Sequence, residues 1–157
     1  MNADRCSNTL IIKGKTKEHT DAFWLSKEFI EANGLFNAFV TRPDSITELN
    51  EVEKWNKENW GVEAEAEDVD YGEDAIHFDS AWVPPEAFLD FLSRVYPDVM
   101  FELYYSNAGR MMAGNIRKCK YMGVDKSTSI PISFDADGEP VGFYKNFLNT
   151  HNLHTGG

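Results

Sequence analysis

A helix bounded by prolines lies in the middle of the chain and constrains the fold more than any other feature. Pro84 and Pro85 begin it, at positions where a missing amide donor costs nothing, and Pro97 ends it. Between these prolines, apolar side chains recur at the spacing of a helix with one buried face: Phe88, Phe91, Leu92 and Val95. The sequence therefore predicts an amphipathic helix that packs against other elements.

Runs with a period of two lie on both sides of this helix, which is the pattern of strands with one buried face. Before the helix, apolar residues alternate with acidic or polar ones over 60–69 and again over 75–82, with a turn at 70–74 between them. After it, strand-like runs over 99–106 and 110–118 flank a short loop that ends in Gly109. The pattern predicts one hairpin on each side of the helix.

The first third of the chain predicts a strand followed by two helices. Residues 8–15 read as a β-rich run, and apolar spacing over 16–33 predicts a helix that Gly34 stops. Ser45 and Glu48 have the spacing of a capping box, which predicts a second helix from Ile46. The whole order predicts an α+β fold: a ferredoxin-like (split βαβ) antiparallel sheet with helices on one face and an inserted helix.

The pattern weakens beyond residue 120. Segments 130–134 and 141–147 surround a turn at 135–138, so they predict a peripheral hairpin, and 150–157 predicts a frayed end. We therefore expect a ferredoxin-like domain at 1–120 and a C-terminal β extension at 121–157 packed on the same domain. The second sheet face would stay open unless the extension, the inserted helix or a partner covers it.

Three stretches of the chain carry a resemblance to a known family: Trp55 through Asn59-Trp60-Gly61, Ser80-Ala81-Trp82-Val83-Pro84-Pro85, and Tyr104-Tyr105 followed by Gly109 and Gly114. In these motifs the chain resembles the YubB ferredoxin-like family of phage and plasmid proteins. The resemblance implies a ferredoxin-like fold and an origin in a mobile element, and the family has no established activity. Trp60 and Trp82 would flank the first hairpin, and we expect them to pack together in the core.

The charge of the chain is concentrated in one stretch. Of 26 acidic residues, eleven lie between Glu58 and Ser93, where there is no Lys or Arg. The remaining 15 acidic residues equal the 15 Lys and Arg in number, so the net charge of -11 belongs to the first hairpin and the helix after it.

Seven of these carboxylates are our predicted partner-binding residues: Glu63, Glu65, Glu67, Asp68, Asp70, Glu73 and Asp74. In the predicted strand, Glu63, Glu65 and Glu67 would lie on one face about 6.6 to 7 Å apart, close to the phosphate spacing of a nucleic-acid strand. Such a row could imitate a nucleic-acid backbone and bind a basic surface. A solvated face that keeps the protein soluble is the alternative explanation.

Signs of catalysis, metal binding or membrane insertion are missing from the sequence. It contains no nucleophile elbow and no phosphate-binding glycine loop, and its two cysteines and four histidines match no zinc spacing. We predict no catalytic residue, no metal and no cofactor. No apolar run approaches the roughly 18 residues of a membrane span, and the N-terminus lacks a signal-peptide region, so we expect a cytoplasmic protein of the host cell.

These observations lead to one main functional hypothesis and one alternative. The main hypothesis is a non-enzymatic mobile-element protein that inhibits a host nucleic-acid-binding defence complex, of the anti-CRISPR or anti-restriction type, through its acidic surface. The alternative is a ligand- or nucleic-acid-binding module that uses the open sheet face, with Tyr104, Tyr105 and Tyr121 as candidates. Direct nucleic-acid binding is not expected from the net charge, although a basic stretch over 110–126 could support weak self-association.

Overall fold

A single antiparallel sheet organises residues 4–156, which are the residues that the computed structural model describes. Its strands are β1 (Arg5–Gly14), β2 (Glu67–Tyr71), β3 (Ala75–Ala81), β4 (Val99–Asn107), β5 (Met112–Cys119) and β6 (Val124–Ser129). The helices are α1 (Lys17–Trp24), α2 (Lys27–Asn33), α3 (Leu35–Phe39), α4 (Leu49–Trp60), α5 (Glu86–Val95) and α6 (Gly142–Thr150). Predictions for 1–3 and for residue 157 lie outside the described residues.

The strand order is β2-β3-β1-β4-β5-β6, and every neighbouring pair is antiparallel. The chain passes from β1 through helices to the β2–β3 hairpin and then through α5 to β4. This is the split βαβ, ferredoxin-like arrangement, so the predicted fold class is confirmed. β5 and β6 extend the sheet beyond β4.

Alternate side chains of the central strand β1 define the main core. Leu10 and Ile12 face α1 to α5 and are buried, whereas Thr9 on the opposite sheet face contacts the C-terminal segment. Aromatic rings from the helices fill the space over β1, and Phe36 of α3 lies among them. Its ring centroid is 4.8 Å from that of Phe88 and 5.7 Å from that of Trp60.

The second sheet face is covered by the C-terminal segment, where we had expected a peripheral hairpin. Residues 142–150 form α6 because Tyr144, Phe147 and Leu148 have helical spacing and are buried together against Ala113 of β5. The Tyr144 hydroxyl lies 2.7 Å from the Ser106 hydroxyl of β4. The predicted hairpin over 130–147 was therefore wrong, and only one isolated bridge, between Phe134 and Pro140, remains of it in the described part of the chain.

The tail after α6 is also ordered by hydrogen bonds, contrary to the predicted frayed end. The Ala108 amide donates to the carbonyl oxygen of Thr155 at 2.7 Å, and the His154 amide donates to the Ser7 hydroxyl at 3.1 Å. The tail thus lies against β1 and the end of β4. Its position explains how the buried Ser7 and Ser106 hydroxyls of those strands find hydrogen-bond partners.

Two predictions for helices in the first half of the chain differ from the structure. The helix over 16–33 is divided into α1 and α2 at Leu25–Ser26, and the short helix α3 follows it. The predicted capping box does not form, since α4 begins at Leu49 without a side-chain cap. At its other end α4 continues to Trp60 and ends at Gly61, whose φ of 88° is the left-handed conformation that favours glycine.

Truncation of the central aromatic ring should destabilise the fold. We expect Phe36→Ala to lower the free energy of unfolding by about 3 to 5 kcal/mol, because it leaves a cavity among fully buried rings. Phe29→Ala is the matched control: its side chain is 56% exposed, and we expect a change within about 0.5 kcal/mol. Urea unfolding followed by circular dichroism measures both. Equal losses in the two variants would contradict this description of the core.

Candidate functional site

The acidic segment 63–74 does not form the continuous strand that the sequence predicted. Residues 61–66 make bends and an irregular link after α4, and β2 begins only at Glu67. The register of β2 with β3 also shifts between Glu67 and Asp70. No single strand face therefore carries Glu63, Glu65 and Glu67. The prediction of an evenly spaced row of carboxylates was wrong.

Glu65 is a structural cap for α3. Its Oε1 accepts the amide hydrogen of Phe36 at 2.7 Å, and its Oε2 accepts that of Asn37 at 2.9 Å. These are donors of the first helical turn, which otherwise lack partners. Burial raises the pKa of Glu65, and the amide donors of Phe36, Asn37 and Ala66 partly oppose that rise.

A glycine makes this cap sterically feasible. Gly34 has a φ of 92°, and a Cβ atom at this position would lie 2.7 Å from Oε2 of Glu65. Any larger residue would therefore be strained and would displace the carboxylate. Glu65 is thus held inside the fold and is poorly placed to meet a partner.

Glu63 is engaged with a tryptophan at the other side of the link. Its Oε1 accepts the indole N–H of Trp82 at 2.7 Å, and its Oε2 lies 3.8 Å from Nζ of Lys57. Trp82 is only half-buried, and no aromatic contact joins it to Trp60 within residues 4–156. The predicted packing of the two tryptophans was therefore wrong, since a φ of 69° at Trp82 breaks the strand alternation that would have turned its side chain inward.

Glu67 and Asp68 form ion pairs with Arg5 at the start of β1. Arg5 also lies 3.2 Å from Asp79 of β3, whose other oxygen is 2.6 Å from Nε2 of His154. This network links β1, β2, β3 and the C-terminal tail. It neutralises part of the negative charge that the sequence had assigned to a partner.

Asp70, Glu73 and Asp74 are the predicted site residues that remain free. All three side chains are exposed, and none forms an ion pair within the described residues. They lie at the end of β2 and in the turn before β3, and we call this group the acidic turn. Of the seven predicted carboxylates, these three can meet a partner without first breaking an intramolecular contact.

The predicted basic stretch is also partly neutralised. Lys118 is buried, with its Nζ 2.6 Å from Oδ1 of Asp125 and 2.9 Å from Oδ1 of Asp90. Burial opposes its charge, but the hydrogen bonds and the negative charges of Asp125 and Asp90 together outweigh burial and raise the pKa of Lys118. Lys118 therefore ties α5 to β5 and β6, while Arg117 pairs with Glu102 at 2.7 Å. Weak self-association through the basic stretch stays a prediction. Arg117 and Lys118 no longer support it, because both are paired within the chain.

The tyrosines proposed for an open sheet face are not presented to solvent as a platform. The Tyr104 ring stacks on His151 with 3.5 Å between ring centroids, beneath the C-terminal segment. Burial and the adjacent Glu102 carboxylate raise the pKa of Tyr104 to about 12. Tyr105 points into the main core, and Tyr121 lies apart from both in the turn after β5. The sheet face therefore does not bring the three rings together.

Polar groups that resemble catalytic pairs are occupied in holding the tail. His154 contacts Asp79 through Nε2, and its Nδ1 accepts the Gly156 amide hydrogen at 3.0 Å, so neither ring nitrogen is available as a base. The Thr9 hydroxyl donates to the carbonyl oxygen of His151 at 2.6 Å, so it cannot donate to the neighbouring His77. Burial raises the pKa of the Cys6 thiol to about 12, which disfavours a nucleophilic thiolate.

Two further features bear on ligands and membranes. Within residues 4–156, no set of three or more His, Cys, Asp or Glu side chains is arranged to hold a metal ion. None of the helices in the same range has the length and apolar character needed to cross a bilayer.

Comparison with known proteins supports the fold. Residues 53–128 match a family model described as the ferredoxin-like domain in Api92-like protein. This range runs from α4 to β6 and covers just under half of the chain. No curated protein and no solved structure matches the chain.

Loss of the Glu65 cap should destabilise the protein. We expect Glu65→Ala to lower the free energy of unfolding by about 2 to 3 kcal/mol, because it leaves part-buried amides without their charged acceptor. Asp70→Ala removes an exposed carboxylate and should change stability by no more than about 0.5 kcal/mol. Chemical denaturation of both variants distinguishes the two kinds of acidic residue, and equal stabilities would refute the cap.

Replacement of Glu65 by glutamine should also alter the pH dependence of stability. Because the folded-state pKa is raised above 4.5, the stabilising contribution of protonation is complete below pH 4.5 and is lost as pH rises through the raised value. The unfolding free energy of the parent minus that of Glu65→Gln should therefore decrease as the pH rises from 4.5 through the raised pKa of Glu65, and it should stay constant at higher pH. Urea titrations at several pH values measure these differences, and a rise with pH would contradict the assignment.

Proposed function

We propose that this protein is a non-enzymatic binding protein of a phage or other mobile element that inhibits a host nucleic-acid-binding defence complex. The inhibition would be of the anti-CRISPR or anti-restriction type and would take place in the cytoplasm of the host cell. The observation that carries the proposal is the acidic turn, in which Asp70, Glu73 and Asp74 are exposed and have no ion-pair partner within residues 4–156.

Electrostatics explains why such a turn would favour a basic partner. Three carboxylates within five residues repel one another, and solvent screens this repulsion less effectively than a bound cation would. A basic surface that normally holds phosphates would relieve the repulsion and would attract the acidic turn from a distance. Imitation of nucleic acid would then rest on a local cluster of charge and not on an evenly spaced row.

The sequence resemblance supports the mobile-element part of the proposal. The Asn-Trp-Gly motif ending at Gly61 and the Trp-Val-Pro-Pro motif ending at Pro85 resemble motifs of the YubB family of phage and plasmid proteins. Both motifs lie at helix ends in the structure, since Gly61 ends α4 and Pro85 precedes α5. The covered sheet face gives the alternative, a binding module on that face, less support.

Charge reversal of the acidic turn tests this function. The variant D70K/E73K/D74K should lose inhibition, because three attractive charges become repulsive toward a basic target. The matched control is E48K/E51K/E58K, which makes the same change in net charge on exposed residues at the two ends of α4. The readout is plaque formation by a targeted phage in strains that each carry one CRISPR or restriction system.

The parent protein should restore plaques in at least one such strain, and the control variant should do so equally well. In affinity capture from the same strain, the parent and the control variant should retain the defence complex, and D70K/E73K/D74K should not. Full inhibition by D70K/E73K/D74K would overturn the role of the acidic turn. Absence of protection in every strain would count against the inhibitory function itself.

A further inference from the structure

We infer that a groove beside Trp82 binds a nucleotide unit, an aromatic base that carries a phosphate, supplied as a free nucleotide or within a single strand. The groove has a volume of about 520 Å³ and lies between the end of α4, the link after it, the end of β3 and Arg110. It is separate from the acidic turn, so the inference goes beyond the function proposed above.

The backbone of Trp82 is strained and held in place by its neighbours. A φ of 69° is unusual for a bulky residue and costs free energy. The Trp82 amide donates to the carbonyl oxygen of Asp4 at 2.7 Å, and its carbonyl oxygen accepts from Nδ2 of Asn107 at 2.8 Å. These bonds keep the indole out of the core and at the groove, and such retained strain is concentrated at functional sites.

The groove carries positive charge in a strongly acidic protein. The Arg110 guanidinium carbon lies 4.4 Å from the centroid of the Trp82 ring, and Arg110 forms no ion pair within the described residues. Lys57 also lines the groove, while the carboxylate of Glu63 is already bound to the indole N–H. The lining thus has a formal charge of +1, whereas the chain carries -11. This local sign favours an anion.

The shape and chemistry of the lining favour an anion with a flat ring. The Arg110 guanidinium lies over the indole and its side chain is exposed, so the guanidinium is accessible to a base that stacks on it. Val62 and Val83 supply apolar contact, and arginine forms paired hydrogen bonds to phosphate oxygens. The volume lies in the range of small-molecule sites. A nucleotide meets all of these features, whereas a neutral nucleoside or inorganic phosphate meets only part of them.

Titration of the full-length chain with AMP, adenosine and inorganic phosphate tests the inference. Two-dimensional ¹H–¹⁵N spectra resolve the indole N–H of each tryptophan, and Trp82→Phe assigns the signal of Trp82 by its disappearance. AMP should shift this signal in a saturable manner, and adenosine and phosphate should bind at least about tenfold more weakly. Equal binding of all three, or no shift with AMP at millimolar concentration, would overturn the inference.

Charge-removing variants locate the anion contact. Arg110→Ala should weaken AMP binding by about tenfold or more, and Lys57→Ala should weaken it in the same direction. Arg94→Ala is the matched control, because Arg94 is exposed on α5 and does not line the groove. Unchanged AMP affinity in Arg110→Ala would contradict the site. A decathymidylate arm identifies the source: tighter binding than AMP assigns the unit to a single strand, and weaker binding assigns it to a free nucleotide.

Discussion

Burial of β1 on both faces is the constraint on which the rest of the structure depends. The strand pairs with β3 and β4 on either side, so its backbone hydrogen bonds are satisfied within the sheet. Its side chains then require cover on two faces. The helices α1 to α5 supply it over Leu10 and Ile12, and α6 with the tail supplies it over Thr9. The ends of the described chain thus meet, because β1 and the tail are neighbours in space.

The carboxylates of the acidic segment 63–74 fall into two groups: those bound within the fold and those exposed to solvent. Glu65 satisfies the first turn of α3, Glu63 fixes the indole of Trp82, and the carboxylates that surround Arg5 join the tail to the sheet. The hydrogen bonds of Glu65 and Glu63 are part-buried, where a charged hydrogen bond is stronger than in water, whereas the pairs of Glu67 and Asp68 with Arg5 are exposed. Asp70 and its neighbours in the acidic turn are left in solvent. Of the seven predicted site carboxylates, these three have no ion pair or structural hydrogen bond within residues 4–156.

Particular residues show why the sequence predicted some elements and missed others. Phe88 and Leu92 mark α5 correctly because local spacing and the flanking prolines agree. Residues 61–66 alternate as a strand should, but the alternating residues are Ala and Glu, which are weak strand formers, and long-range bonds to α3 and Trp82 outweigh the pattern. Strand alternation predicts that Trp82 faces the core. Its left-handed backbone, which the alternation does not reveal, places the side chain at the groove instead. The sequence over 142–150 does have helical spacing, at Tyr144, Phe147 and Leu148, but we interpreted it as a strand with a period of two.

The sequence by itself determined the order of the strands from β1 to β5, the position of α5 between the two hairpins, the ferredoxin-like topology and the concentration of charge between Glu58 and Asp90. These follow from local periodicity, turn chemistry and composition, which act between near neighbours along the chain. Only the tertiary structure decided which carboxylates are free, which sheet face is covered and where Trp82 lies. Those outcomes depend on contacts between residues distant in sequence, such as Glu65 with α3 and Asp79 with His154, and no local pattern encodes the partner of a hydrogen bond.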